Sequence, residues 1–464
     1  MVGRLTARGG LLFCWWPGRP RPHRPTLRSV LADAARAATT SRTLFRRHGE
    51  DWCLRYSPMK VTVKLGYHYH DYYPVSPPTS MLRGNQQGLN RRQALRILGT
   101  SFAIGTAALR TGRPVAARAA TEPSWPTFQF DNGRSGYNPH GRRPTGKLTK
   151  VWETTDGSFS SSPAVVGELL YHGTAANGLF AYDVADGCIV WNSPTNGRIA
   201  PSRPTVANGV VYIGDWEHIF YAFDSATGSE LWRYDAGAIL NHDSVVSDGV
   251  VYFSDANGVI HAISAADGTP IWSLDTGFGI TSLAMSDGSI FFGGSNSRIS
   301  RLDAATGVVE WSHPVPYSPR HIVLVDGIVY VGGWPYLATY DAADGTERWR
   351  VYVGTITNSP AISDRLIYLG STNNQLLAFD RATGEEQWAF SVGDHPIQGI
   401  VSSPAVVQNR VYFGGYDRYV YELHARTGKL MWSFDTGTEI TGSPAVVNRR
   451  LYIGSRLGGM YAFG

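Results

Sequence analysis

Eight tryptophans, Trp152, Trp191, Trp232, Trp272, Trp311, Trp349, Trp388 and Trp432, recur at a spacing close to forty residues and run to the end of the chain. A constant period of this length means one supersecondary unit stacked many times. The unit is plainest in residues 209–232: Gly209-Val210-Val211-Tyr212-Ile213-Gly214, then Ile219-Phe220-Tyr221-Ala222-Phe223-Asp224, the pair Thr227-Gly228, and Leu231-Trp232. Each copy holds four short apolar or alternating runs separated by Gly, Asn and Asp, and none sustains a helical period. One twisted four-stranded sheet cannot bury both of its faces alone. It must stack on its neighbours, so the repeat predicts an all-β fold, a β-propeller of four-stranded antiparallel blades.

The ends of the array predict how the ring shuts. The last unit stops after Met460-Tyr461-Ala462-Phe463 and lacks a fourth strand, whereas Trp152 has no blade strands before it. The two fragments complement each other, giving eight blades, the last closed by the N-terminal strand around Trp152, so that no sheet edge is left open. The repeated residues have structural work to do. A buried Trp removes about 150–250 Å² from water, at most about 4–6 kcal/mol at ~25 cal/mol per Å², which suits a wedge between blades. The Asp of the turn Asp-x-x-Thr-Gly (Asp183, Asp224, Asp303, Asp341, Asp380) is expected to bind backbone N–H groups of its own turn, with Gly at positive φ.

The charge is divided along the chain. Residues 1–120 carry 20 Lys and Arg against 4 Asp and Glu, the remainder 22 against 33. The basic balance belongs to the leader, which argues against nucleic-acid binding by the propeller. Residues 1–80 are rich in Arg, Pro and Ala and read as a disordered basic extension, upstream of a start at Met81. Residues 81–120 contain Asn90-Arg91-Arg92-Gln93-Ala94-Leu95-Arg96, an apolar run over 97–109, and Ala117-Arg118-Ala119, a pattern similar to a twin-arginine export signal. Asn90 and Ala94 depart from that pattern. The apolar run reaches only ~20 Å as a helix, short of the ~30 Å hydrocarbon core, so no stable transmembrane span is expected. Export across the cytoplasmic membrane follows. Residues 121–146 are a lead-in and 147–464 the propeller.

Three motifs carry a resemblance. Ser402-Ser403-Pro404-Ala405-Val406-Val407, Val411-Tyr412-Phe413-Gly414 and the run from Ala378-Phe379-Asp380 through Thr383-Gly384 to Trp388 resemble the PQQ-type propeller repeats of quinoprotein dehydrogenases and of BamB-like proteins. Trp125-Pro126-Thr127-Phe128-Gln129-Phe130-Asp131 is similar to the lead-in of exported members. The resemblance implies either a binding scaffold or a quinoprotein. The PQQ alcohol dehydrogenases would need a calcium site of Glu and Asn, a catalytic Asp and adjacent cysteines. This chain has no adjacent cysteines, and no catalytic residue or metal ligand is read from it; PQQ with Ca²⁺ stays as the alternative. The first reading is a non-catalytic, monomeric scaffold for a protein, peptide or glycan.

Departures from the repeat mark the candidate site. Small residues open the innermost strands of four blades, at Ser161-Ser162, Ser402-Ser403 and Gly442-Ser443, with Asn358-Ser359 close to them. Blade two instead has Ser202-Arg203, blade three His242-Asp243 and blade five Arg320-His321. Arg203, His242, Asp243, Arg320, His321 and Asn358 are therefore expected at one mouth of the axial channel. They would either fill it with mutual hydrogen bonds or hold a small anionic or polar ligand. Trp216, Trp334 and Tyr416, on loops between second and third strands, would dock a partner or glycan, or pack under their loops.

Overall fold

The computed structural model describes residues 124–154, 161–175, 178–199, 202–240, 242–393, 399–457 and 459–464, together with three strands between 44 and 63. Those three strands, Leu44–His48, Asp51–Arg55 and Val61–Val63, form an antiparallel sheet within a separate N-terminal unit. The rest of the basic extension, the export-signal reading of 81–120 and the start at Met81 lie outside the described residues.

The second unit is an eight-bladed propeller with no helix among its described residues. The blades span 164–193, 205–235, 245–275, 280–314, 318–352, 361–391, 405–435 and 445–463, the last completed by Lys150–Glu153. That closing strand pairs antiparallel with Gly459–Phe463, placing Trp152 opposite Ala462. Ring closure by the N-terminal strand is therefore what the molecule shows.

The tryptophans are wedges, as their period predicts. Trp152 packs onto Gly187 of the next blade, where a Cβ would lie 2.7 Å from the indole; Gly187 has φ +72°, so both the turn and the contact require glycine. Trp191 meets Gly228, Trp232 meets Gly268 and Trp388 meets Gly428 in the same way. The indole N–H of Trp152, Trp191, Trp232, Trp272 and Trp388 donates to the carbonyl of the residue that follows the turn Asp (or its counterparts Ser264 and His424) of the neighbouring blade, at 3.0–3.1 Å. A bulge one residue before the Trp aims the ring between blades and leaves its neighbour outside: Leu231 and Ile271 are each 52 % exposed. The turn carboxylates behave as scaffold. Asp224 accepts from the Thr227 hydroxyl and from the N–H groups of Ala226 and Thr227, which hold its carboxyl below the ordinary range.

The lead-in is the element that the repeat does not describe. It winds along the inner ends of the blades in order. Ser124–Trp125 pairs with the innermost strand of blade 1, and the Pro126 carbonyl accepts from Val206 of blade 2. Asn132 donates its amide to the Val246 carbonyl of blade 3 and accepts from Met285 of blade 4. The carbonyls of Gly133, Ser135 and Gly136 accept from Leu324, Ile362 and Val406, and that of Arg142 from Arg449 of blade 8. All eight blades are stitched to one segment. Because these contacts fall near the ends of the innermost strands, the lead-in closes the face opposite the one where those strands begin.

Candidate functional site at the channel mouth

Alternation along the innermost strand sorts the mouth residues into two sets. The residue nine places before the second-strand Tyr or Phe is Ser162, Arg203, Asp243, Ser282, His321, Ser359, Ser403 and Ser443 in blades 1 to 8. These residues are joined from blade to blade. Ser359 N–H donates to Ser403 Oγ (3.1 Å), Ser403 N–H to Ser443 Oγ (2.9 Å) and Ser443 N–H to Ser162 Oγ (2.9 Å). Arg203 then bridges blades 1 and 3, its Nε donating to Ser162 Oγ (3.3 Å) and its Nη1 to Asp243 Oδ2 (3.0 Å). On the other side His321 Nδ1 lies 3.3 Å from Ser359 Oγ, and Ser282 Oγ accepts from Ile322 N–H.

The preceding residue bonds backbone in blades 1, 2, 4, 6 and 7, through Ser161, Ser202, Thr281, Asn358 and Ser402. Asn358 spends its whole amide this way, donating to the carbonyls of Ile400 (2.9 Å) and Ser402 (3.0 Å) and accepting from Gly370 N–H (3.0 Å). It lines the cavity but has little capacity left for a ligand. Arg320 is exposed and does not line the cavity; a bulge between Pro319 and His321 sets it apart. The structure thus brings Arg203, His242, Asp243, His321 and Asn358 together around one cavity of about 110 Å³ and leaves Arg320 outside its wall.

Two lining residues escape the repeat because they come from the lead-in. Phe128 and Arg134 enter the cavity from the closed face. The Arg203 guanidinium lies 3.9 Å from the centre of the Phe128 ring, close enough for a cation–π contact. Arg134, with only 3 % of its side chain exposed, donates to the carbonyls of Leu283, Ser244 and Phe128 and to Thr127 Oγ1, with Asp243 Oδ2 at 4.0 Å. Burial pulls its pKa down, opposed by Asp243. The sequence signal that could have found it is an arginine between glycines, Gly133-Arg134-Ser135-Gly136, in a segment that otherwise looks like a connector.

Both histidines are kept neutral. Burial, followed by the nearby guanidiniums of Arg203 and Arg320, pushes the His321 pKa down to about 3. Burial also lowers that of His242, with Asp243 opposing and Arg203 assisting. A base with a folded pKa below its unfolded value of about 6.5 destabilises the fold as pH falls from 6.5 towards 3. His321 should therefore contribute an acid-induced loss of at most about 1.4 kcal/mol per pH unit in that window. Comparing Tm at pH 7 and pH 4.5 for wild type and His321→Gln checks this: the variant should lose less. Asp243 carries the single carboxylate of the cavity wall, and its Oδ1 is buried with no hydrogen-bond partner among the described residues.

The aromatic residues sit on the same open face, since second strands end where innermost strands begin. Trp334 is 60 % exposed and Trp216 36 %, the latter with the Arg198 guanidinium 5.0 Å from its ring. Tyr416 is half-buried, its N–H donating to the Gly399 carbonyl (3.3 Å). Sequence reasoning missed Tyr352, 70 % exposed at the end of blade 5, which meets Tyr336 edge-on at 6.0 Å.

Comparison with known proteins agrees with this architecture. The family described as outer membrane protein assembly factor BamB matches residues 142–240, 217–324 and 317–464. Comparison with curated proteins gives no match. Among solved structures, BamB from Moraxella catarrhalis is 21 % identical, covers 68 % of this chain and 98 % of its own, and superposes with a TM-score of 0.59. The quinohemoprotein alcohol dehydrogenase from Comamonas testosteroni is 16 % identical, with 75 % and 81 % covered and a TM-score of 0.63. The computationally designed Ika8 protein is also 16 % identical, with 68 % and 99 % covered and a TM-score of 0.59. At these identities the solved structures share the fold alone. With the repeats, the closed eight-bladed ring and the profile match in hand, the chain belongs to the PQQ-repeat propeller family of the outer membrane protein assembly factor BamB.

Proposed function

We propose that this protein is an exported, non-catalytic scaffold that holds a protein, peptide or glycan against the face where the innermost strands begin. The observation that carries this reading is the set of outward aromatic tips on that face, Trp334 and Tyr352 on blade 5 and Trp216 on blade 2, at 60 %, 70 % and 36 % exposure. Large rings left in water on one face are characteristic of recognition surfaces, where they bury much area at little entropic cost. Family membership supports the scaffold reading, and the family's exported relatives support the compartment. No helix among the described residues is long and apolar enough to cross a membrane.

The quinoprotein alternative fares worse against the residues present. An organic ligand of cofactor size uses roughly 300–1,000 Å³, and the mouth cavity is about 110 Å³. Among the described residues no group of three or more His, Cys, Asp or Glu is placed to hold a metal ion. Both observations argue against PQQ with Ca²⁺ at this mouth.

Photocrosslinking from position 217, which is exposed beside Trp216, in envelope extracts, with a glycan array in parallel, tests the scaffold. Wild type should capture a discrete partner or glycan. The double variant Trp216→Ala, Trp334→Ala should weaken capture about tenfold or more, as for loss of a recognition hot spot, whereas Leu430→Ala on the outer strand should not. Undiminished capture by the double variant would remove the face from consideration.

A further inference from the structure

The ring of serines at the mouth has a polarity of its own. Ser282, Ser403 and Ser443 each accept a backbone N–H from an adjacent blade, which occupies a lone pair and leaves the hydroxyl proton free to donate. Ser282 and Ser403 line the cavity. Arg203 spends Nε and Nη1 on Ser162 and Asp243, which leaves Nη2. Arg134 spends all its nitrogens on oxygen acceptors but keeps its charge beside the cavity. The wall therefore holds two guanidiniums against one carboxylate, Asp243, with both imidazoles neutral. Its fixed positive charges outnumber its negative one.

One acceptor breaks the pattern. Asp243, 10 % exposed at its side chain, keeps Oδ1 buried with no partner among the described residues, and an ionised oxygen left unbonded in a buried site is costly. A plain anion would satisfy the donors and leave that oxygen unmet. A molecule that is anionic at one end and a donor at the other satisfies both. The cavity of about 110 Å³ holds the volume of only a few water molecules, at about 30 Å³ each, which limits such a ligand to a handful of heavy atoms.

We propose that the channel mouth binds a small carboxylate bearing a hydroxyl or N–H donor on the neighbouring atom, with its carboxylate on Arg203 and the ring hydroxyls and its donor on Asp243 Oδ1. The same chemistry is offered by a free α-hydroxy or α-amino acid and by the C-terminus of a peptide. This site is independent of the aromatic tips, so it stands or falls separately from the scaffold reading.

Calorimetric titration of the full chain decides it, using L-lactate, glycine, acetate, N-acetylglycine, N-acetylglycine methyl amide and triglycine. Lactate and glycine should bind with one site per chain, acetate more weakly, and the methyl amide, which has no carboxylate, not at all. Triglycine binding without glycine or lactate binding would assign the site to chain termini. Arg203→Gln should weaken lactate about 30-fold, as expected for loss of a charge-assisted bond, and Asp243→Asn should weaken lactate but not acetate. Should Arg203→Gln fail to fold, the imidazole resonances of His242 and His321 in the wild-type protein give the answer, since both line the cavity and should shift with lactate and not with the methyl amide. Absence of saturable binding by every carboxylate, or equal binding of the methyl amide, overturns the proposal.

Discussion

Removing residues 147–155 should leave a protein that no longer folds as a closed ring, with loss of the cooperative thermal transition and a sharp fall in soluble yield. The deleted strand carries Trp152, which wedges against Gly187 and donates its indole N–H to the Val184 carbonyl, and its backbone pairs with the final strand. Without it the strand Gly459–Phe463 becomes an open sheet edge and the joint between the first and last blades disappears. The single substitution Trp152→Ala isolates the wedge. Large-to-small replacement of a buried aromatic costs about 3–5 kcal/mol, which for a domain of this size corresponds to a fall in Tm of roughly 4–7 °C. Val151, the neighbour that the bulge turns outward at 43 % exposure, supplies the control: Val151→Ala should stay within about 0.5 kcal/mol of wild type. Differential scanning calorimetry of the three proteins reads all of this. A Trp152→Ala protein as stable as Val151→Ala would show that the joint is made elsewhere.

The second large effect is expected from Arg134→Ala. Four oxygen acceptors from the lead-in, blade 3 and blade 4 converge on this guanidinium, and Asp243 lies 4.0 Å away. Truncation strands those acceptors and leaves Asp243 with Arg203 as its only close cation among the described residues, so the loss should approach the roughly 3–5 kcal/mol typical of breaking a buried charged pair. Arg134→Lys should recover little, because an ammonium cannot span acceptors on three segments as the planar fork does. Asp243→Asn added to Arg134→Ala should restore part of the loss by removing the uncompensated charge. A double variant no more stable than Arg134→Ala would mean that the carbonyl bonds, and not the charge, dominate; chemical denaturation of the four proteins separates the two.

What could be read from the sequence is what repeats. The tryptophan period determined the blade count, the truncated last unit and the orphan Trp152 determined the closure, and the departures from Ser-Ser at the innermost strands located the mouth. Counting nine residues back from the second-strand aromatic would have gone further. It separates His321, which joins the ring, from Arg320, which a bulge displaces, and it adds Ser282 of blade 4. Asn358 illustrates the limit. Its position was legible but its satisfaction was not, because its acceptors are carbonyls of the neighbouring blade that no local pattern announces. Trp311 is a second case. Its indole N–H has no partner among the described residues, and Arg301, standing where most blades have Ala, donates to the Ala342 carbonyl that would be the wedge's counterpart acceptor. The lead-in was illegible for a different reason. Arg134 and Phe128 lie outside the repeat, so alignment gave them no neighbours, although they form the floor of the cavity that the repeat only rims.

The account rests on that floor: one N-terminal segment, bonded to every blade, shuts one end of the channel and makes the mouth a one-ended site. Native-state hydrogen exchange of the full chain examines this directly at the amides of Val206, Met285, Leu324, Ile362, Val406 and Arg449, which donate to lead-in carbonyls in six different blades. The structure predicts that these amides exchange as slowly as the paired strands and lose protection together with them on mild denaturation. Exchange within seconds at these positions while the blade strands remain protected would contradict it, because the channel would then be open at both ends.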